Sequence, residues 1–145
     1  MPAFSEVPRF SDVTVGTTLP VQEFVLQRAN LVQYAGASGD FNVIHWNERV
    51  AVAVGLPNVI AHGMLTMATA GRVLTDWVGD PGAIVSFGVR FARPVVVADD
   101  DLGATVTVSG VVEELREDNT VVVVLTARVG EHKVLTAAKA VVRLS

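Results

Sequence analysis

The sequence predicts an α+β domain in which one long helix is wrapped by a curved antiparallel sheet. Three observations lead there. The segment 64–78 is apolar almost all round, through Met64, Leu65, Met67, Ala68, Ala70, Val73, Leu74, Trp77 and Val78, and a helix apolar on every side belongs inside something. After Gly79-Asp80-Pro81-Gly82 the chain alternates apolar and polar residues in one run after another, the mark of half-buried strands. Those runs reach about 10–14 residues, beyond the usual length of roughly 5–6, and long antiparallel strands twist and curl. A curled sheet needs an apolar filling, and the 64–78 segment supplies it.

The elements follow in order. Residues 20–26 read as a first strand. Residues 28–38 read as a helix with Leu31, Val32 and Ala35 on one side, ended by Gly39. After a short polar turn, Asn47 is placed to cap a second helix to about Val54, which Gly55-Leu56-Pro57-Asn58 breaks. The long helix comes next. In the strand half, Val85, Phe87, Val89 and Phe91 share one face, as do Ala104, Val106, Val108 and Val112, and Val121, Val123, Leu125, Ala127 and Val129. A last strand covers 132–144. Asp118-Asn119 and Gly130-Glu131 read as hairpin turns, and Asp99-Asp100-Asp101 as a solvated turn, since it lacks EF-hand spacing.

Composition narrows the function classes. The 145 residues, half of them hydrophobic and 18% charged, suit one folded domain spanning 1–145 and exclude a disordered chain. A formal charge of −4 opposes non-specific nucleic-acid binding. With no cysteine in the chain, disulfides, thiolate metal sites and a cysteine nucleophile are excluded. The start, MPAFSEVPRF, has no basic stretch leading into an apolar one, and no apolar run approaches the roughly 18–20 residues of a membrane span. The expectation is a cytoplasmic protein without a membrane or nucleic-acid partner. Its apolar surplus is hidden in the core or in a subunit contact.

The chemistry-bearing residues gather in the first half. Asp40 and His45 would lie about 140° apart on a straight helix, but a turn between two helices can bring them face to face. A carboxylate and an imidazole around one small site can hold a water molecule and move a proton either way. The plainer alternative, in which Asp40 builds a turn and His45 is a satisfied buried histidine, stays open at this stage. Gly63 would stand at the start of the apolar helix, where backbone N–H groups lack partners and the dipole favours negative charge. Such a place suits a carbonyl oxygen that gains charge during a reaction; an ordinary helix-start glycine is the alternative. Asp40, His45 and His62 could together offer two-histidine, one-carboxylate ligation, but the spacing matches no helix-borne histidine motif. No metal is expected. Phosphate loops, a Walker lysine and a Gly-x-Ser-x-Gly elbow are absent from the sequence.

The stretch Tyr34-Ala35-Gly36-Ala37-Ser38-Gly39-Asp40-Phe41-Asn42-Val43-Ile44-His45-Trp46-Asn47 resembles the hydratase motif of MaoC-like (R)-specific enoyl-thioester hydratases and dehydratases, Gly-Asp-x-Asn-Pro-x-His. Ala61-His62-Gly63-Met64-Leu65 looks like that family's lead into its central helix. The resemblance covers about residues 8–144, and within the family it looks most like the catalytic B subunit of the mycobacterial-type (3R)-hydroxyacyl-ACP dehydratase. It implies a single hot dog domain, a long helix wrapped by a curved antiparallel sheet. It implies reversible syn hydration of trans-2-enoyl thioesters of coenzyme A or acyl carrier protein to (3R)-3-hydroxyacyl thioesters, with no cofactor. It also implies a homodimer, or a heterodimer with a second hot dog subunit. Asp40 and His45 would be the acid–base pair and the Gly63 N–H the oxyanion donor. Asn42 would support the turn, and His62 would be structural or touch the ligand. One departure is Val43, where the family usually has proline. The competing readings are a hot dog acyl-CoA thioesterase, a non-catalytic acyl-binding subunit and a plain structural homodimer.

Overall fold

A computed structural model describes residues 7–145. The helix α1 (Arg28–Ser38) follows strand β1 (Thr18–Leu26); then come the short α2 (Glu48–Ala53), the long α3 (Gly63–Val78) and four strands, β2 (Ile84–Phe91), β3 (Ala104–Leu115), β4 (Thr120–Val129) and β5 (His132–Arg143). Each helix has a local cause. At the start of α1 the Asn30 side chain accepts from the Gln27 N–H at 2.8 Å in a reciprocal capping box, which satisfies donors the helix leaves free. Asn47 caps α2 by accepting from Val50 N–H at 3.1 Å. Gly39 and Gly79 end α1 and α3 at φ of 75° and 71°, a left-handed conformation that glycine adopts without a side-chain clash.

The five strands form one antiparallel sheet in the order β1-β3-β4-β5-β2. Register shifts interrupt every pairing. Such bulges bend the strands and increase their twist, so the sheet curls around α3. On the inner face Val106, Val108, Val112, Val121, Val123 and Leu125 are buried and pack into one core with Ala70, Val73, Leu74, Trp77 and Val78 of α3. Gly110 shows how tight this packing is. A Cβ there would lie 2.9 Å from the Leu125 Cδ2 and 3.2 Å from the Leu19 Cδ2, so a side chain would force two core leucines apart.

The architecture agrees with the expected fold, with three corrections. First, α3 is not enclosed on every side: Met64, Ala68 and Arg72 are exposed. A five-stranded sheet covers one side of a helix, and the opposite side is left for other elements. Second, the expected shared face of Val85, Phe87, Val89 and Phe91 breaks down. β2 is an edge strand with register shifts between Ile84 and Ser86 and between Gly88 and Arg90, and Val85 and Phe91 are more than half exposed. Third, Val32 faces outward while Leu31 and Ala35 are buried. The hairpin turns lie where expected, with Asn119 at φ 58° and Gly130 at φ 55°. In the acidic run, the Asp100 carboxylate accepts from the N–H groups of Leu102 and Gly103 at 3.0 and 2.8 Å, as a turn-building aspartate does.

Candidate active site

The catalytic candidates sit on a short, heavily hydrogen-bonded turn between α1 and α2. Asp40 bends the chain: its Oδ1 accepts from Asn42 N–H at 3.2 Å. Asn42 in turn caps a single 3₁₀ turn, Val43–His45, by accepting from Ile44 N–H at 3.3 Å. The Trp46 indole N–H closes the loop onto the Phe41 carbonyl at 3.0 Å. The turn-building reading of Asp40 therefore holds, and the same hydrogen bonds set where its carboxylate and the His45 ring lie.

His45 is buried, and its Nδ1 lies 2.7 Å from the carbonyl oxygen of Ile60. A carbonyl only accepts, so Nδ1 carries the hydrogen and Nε2 presents a lone pair. That Nε2 is 3.9 Å from Oδ2 of Asp40, whose side chain is half exposed. The gap is too wide for a direct hydrogen bond. Two acceptors therefore face each other at a separation that one water molecule, donating a hydrogen to each, can span.

His45 and Gly63 line one cavity of about 270 Å³, together with Thr66, Phe91, Arg93 and Val134. Gly63 is the first residue of α3, so its N–H has no partner within the helix. A Cβ at this position would meet the Phe91 ring at 3.1 Å. A larger groove of about 760 Å³ runs between β1, α1 and α3, but neither His45 nor Gly63 lines it. Reactive groups, not size, mark the smaller cavity as the candidate site.

His62 joins the cluster more intimately than its sequence position suggests. Its ring stacks on that of His45 with centroids 3.8 Å apart and planes 23° from parallel, and it touches Tyr34 at 4.8 Å. Its Nε2 is 3.1 Å from the Asp40 carbonyl oxygen. Asp40, His45 and His62 bring one potential ligand atom each within 4.8 Å of one another. Stacked, near-parallel imidazoles direct their lone pairs side by side, whereas a metal needs them to converge.

The sequence alone assigns no role to Ile60, whose carbonyl orients His45, or to Tyr34, which packs on His62. A backbone acceptor leaves no residue-type signal, and a lone tyrosine on a helix has many uses. Val43 has a clear structural account. It occupies the first position of the 3₁₀ turn, where proline is favoured, and Asn42 before it, at φ −55° and ψ 126°, has the extended backbone that proline requires of its neighbour. Val43→Pro is expected to raise stability by about 0.4–1 kcal/mol with activity retained. Paired urea melts and rate measurements check this; a lower midpoint would show that the turn already strains its backbone.

Comparison with known proteins finds relatives that are hydratases and dehydratases. The chain is 35% identical over 106 residues to the (R)-specific enoyl-CoA hydratase of Rhodospirillum rubrum, an overlap of 72% of each chain. Among solved structures, a MaoC-like dehydratase superposes with a TM-score of 0.92 at 43% identity, covering 96% of this chain. The chain spans only 43% of that longer polypeptide. The ChsH1–ChsH2 complex from Mycobacterium tuberculosis contains a chain that matches with a TM-score of 0.78 at 26% identity, covering 91% of this chain and 98% of that one. Fold and relatives define a hot dog domain of the hydratase–dehydratase class. The match to the MaoC like domain runs over residues 9–131, and the chain belongs to that family.

Proposed function

We propose that the protein adds water reversibly to trans-2-enoyl thioesters, giving (3R)-3-hydroxyacyl thioesters, with Asp40 and His45 as its acid–base pair. The observation that carries this reading is the 3.9 Å separation of Asp40 Oδ2 and His45 Nε2, with His45 and Gly63 lining one cavity. In the hydration direction a water bridging the pair is deprotonated as its oxygen attacks C3. The pair then supplies the proton that C2 takes up on the same face. Dehydration reverses both steps. The proton steps are assigned to the pair as a whole. The Gly63 N–H donates to the thioester oxygen as it gains enolate character, and the positive end of α3 lies behind it. Asn42 holds the turn that carries both reactive groups. None of these steps calls for a cofactor.

The test is the loss of enoyl-thioester absorbance on adding the isolated protein to matched coenzyme A and carrier-protein substrates of several chain lengths. Chiral analysis of the product follows. Thiol release without hydration would instead identify a thioesterase. No turnover except with an added second subunit would identify a non-catalytic partner.

Within this reading the working unit is two hot dog domains. β2 is a sheet edge whose outer side has no partner strand among the described residues, with Val85 and Phe91 exposed. Unprotected apolar edges invite pairing with another chain. A second hot dog domain, identical or related, completes the sheet, and a solution mass near twice 15.4 kDa is expected of the protein alone if the partner is identical.

A further inference from the structure

The imidazole of His62 is buried, with 1% of its surface exposed, and its contacts fall on both members of the reactive pair. Its Nε2 reaches the backbone carbonyl of Asp40 at 3.1 Å, and its face lies 3.8 Å from that of His45. The carbonyl can only accept, so the hydrogen of His62 is on Nε2. Its Nδ1 is then a bare lone pair, and that buried atom has no hydrogen-bond partner among the described residues. Protonating the ring would place a new N–H where nothing accepts it, and would put a positive charge against a second imidazole. The groups facing it are the Asp40 carboxylate and His45 from the turn and the Tyr34 hydroxyl-bearing ring from α1.

We propose that His62 is a positioning residue for the Asp40–His45 pair, holding the Asp40 backbone by its Nε2–H and the plane of His45 by stacking. This goes beyond the reading under Proposed function, on which its catalytic consequence rests. The ring spans two pieces of chain, the catalytic turn and the start of α3, so it ties the acid–base pair to the helix end that carries the Gly63 N–H. Burial holds the His62 pKa below its ordinary value, and the nearby His45 adds to this; the hydrogen bond to the Asp40 carbonyl and the charge of Asp40 pull the other way. Burial and the lack of an acceptor at Nδ1 therefore both favour the neutral ring.

The experiment has two arms. In the first, nitrogen NMR of the histidine rings in the intact wild-type protein is followed from about pH 8 to 5. His62 is expected as the Nε2–H tautomer with no change across the ordinary range. An Nδ1–H tautomer, or protonation at ordinary pH, overturns the proposal whatever the protein catalyses. In the second arm, His62→Phe keeps a ring for stacking but removes the hydrogen bond. His62→Gln keeps an amide N–H in reach of the Asp40 carbonyl. His62→Phe is expected to lower kcat at least about 10-fold with KM nearly unchanged, the effect of a small misplacement of reacting groups, and His62→Gln to recover most of that loss. Wild-type kcat in the Phe variant, or equal losses in both variants, overturns the proposal. If the wild type itself turns over no enoyl thioester, it is the functional reading that fails, and the ring NMR decides the role of His62.

Discussion

Replacing Asp40 by Asn, or His45 by Ala, is expected to lower the rate of enoyl-thioester hydration about 100-fold or more, the scale of lost general acid–base catalysis. The two variants damage the site in different ways. Asn at position 40 can still accept from the Asn42 N–H as Asp40 Oδ1 does at 3.2 Å, so the turn keeps its shape. Its amide, however, replaces an acceptor by a donor opposite the bare Nε2 of His45. The gap then has a donor on one side, so a water bridging it can no longer donate to both groups. His45→Ala leaves the Ile60 carbonyl without its 2.7 Å partner and exposes one face of His62. The acceptor is only partly buried, so the stability cost stays at the low end of about 1–3 kcal/mol, and the fold survives it. Steady-state rates with crotonyl-CoA and a longer enoyl thioester, alongside circular dichroism, check both. Near wild-type turnover in both variants would remove the pair from the chemistry.

The sequence made the scaffold legible where one physical signal dominated. β3 alternates cleanly because its inner face packs on the core around α3, whereas Thr120 to Val123 of β4 are buried on both faces; α1 is bounded by Gly39, whose positive φ few other residues tolerate. The pattern failed at β2. There the bulges shift register, and each shift by one residue exchanges the two faces of a strand, so period-two counting from Val85 to Phe91 could not place Phe91 correctly. It failed for Val32 because a helix stripe of about 100° per residue separates Val32 from Leu31 and Ala35 once the core side is fixed. In the site, Asp40, Asn42 and His45 were readable as a spacing. The stacking of His62 on His45 was not, since these residues come from separate segments and only the folded chain decides their distance.

Gly63 allows a backbone donor to be removed by substitution, which is seldom possible. Proline is well accommodated at the first position of a helix, where its missing N–H would have no intrahelical partner in any case. His62, just before it, has φ −56° and ψ 134°, the extended backbone that a following proline requires. Gly63→Pro is therefore expected to leave α3 intact while replacing the amide hydrogen, the proposed donor to the thioester oxygen, by a ring carbon. The predicted loss is about 100–1,000-fold in kcat, the cost of one oxyanion donor. Gly63→Ala is the matched control. It adds the same Cβ, 3.1 Å from the Phe91 ring, but keeps the N–H, and Phe91 is more than half exposed and can give way. Its expected loss is less than about 10-fold, below the roughly 100-fold cost of misplacing the reacting groups by 1 Å. The ratio between the two variants isolates the amide hydrogen from crowding and from the helix dipole, which both variants share. Equal activity of the Pro and Ala proteins, with equal helix content, would show that the thioester oxygen is held by something other than the start of α3.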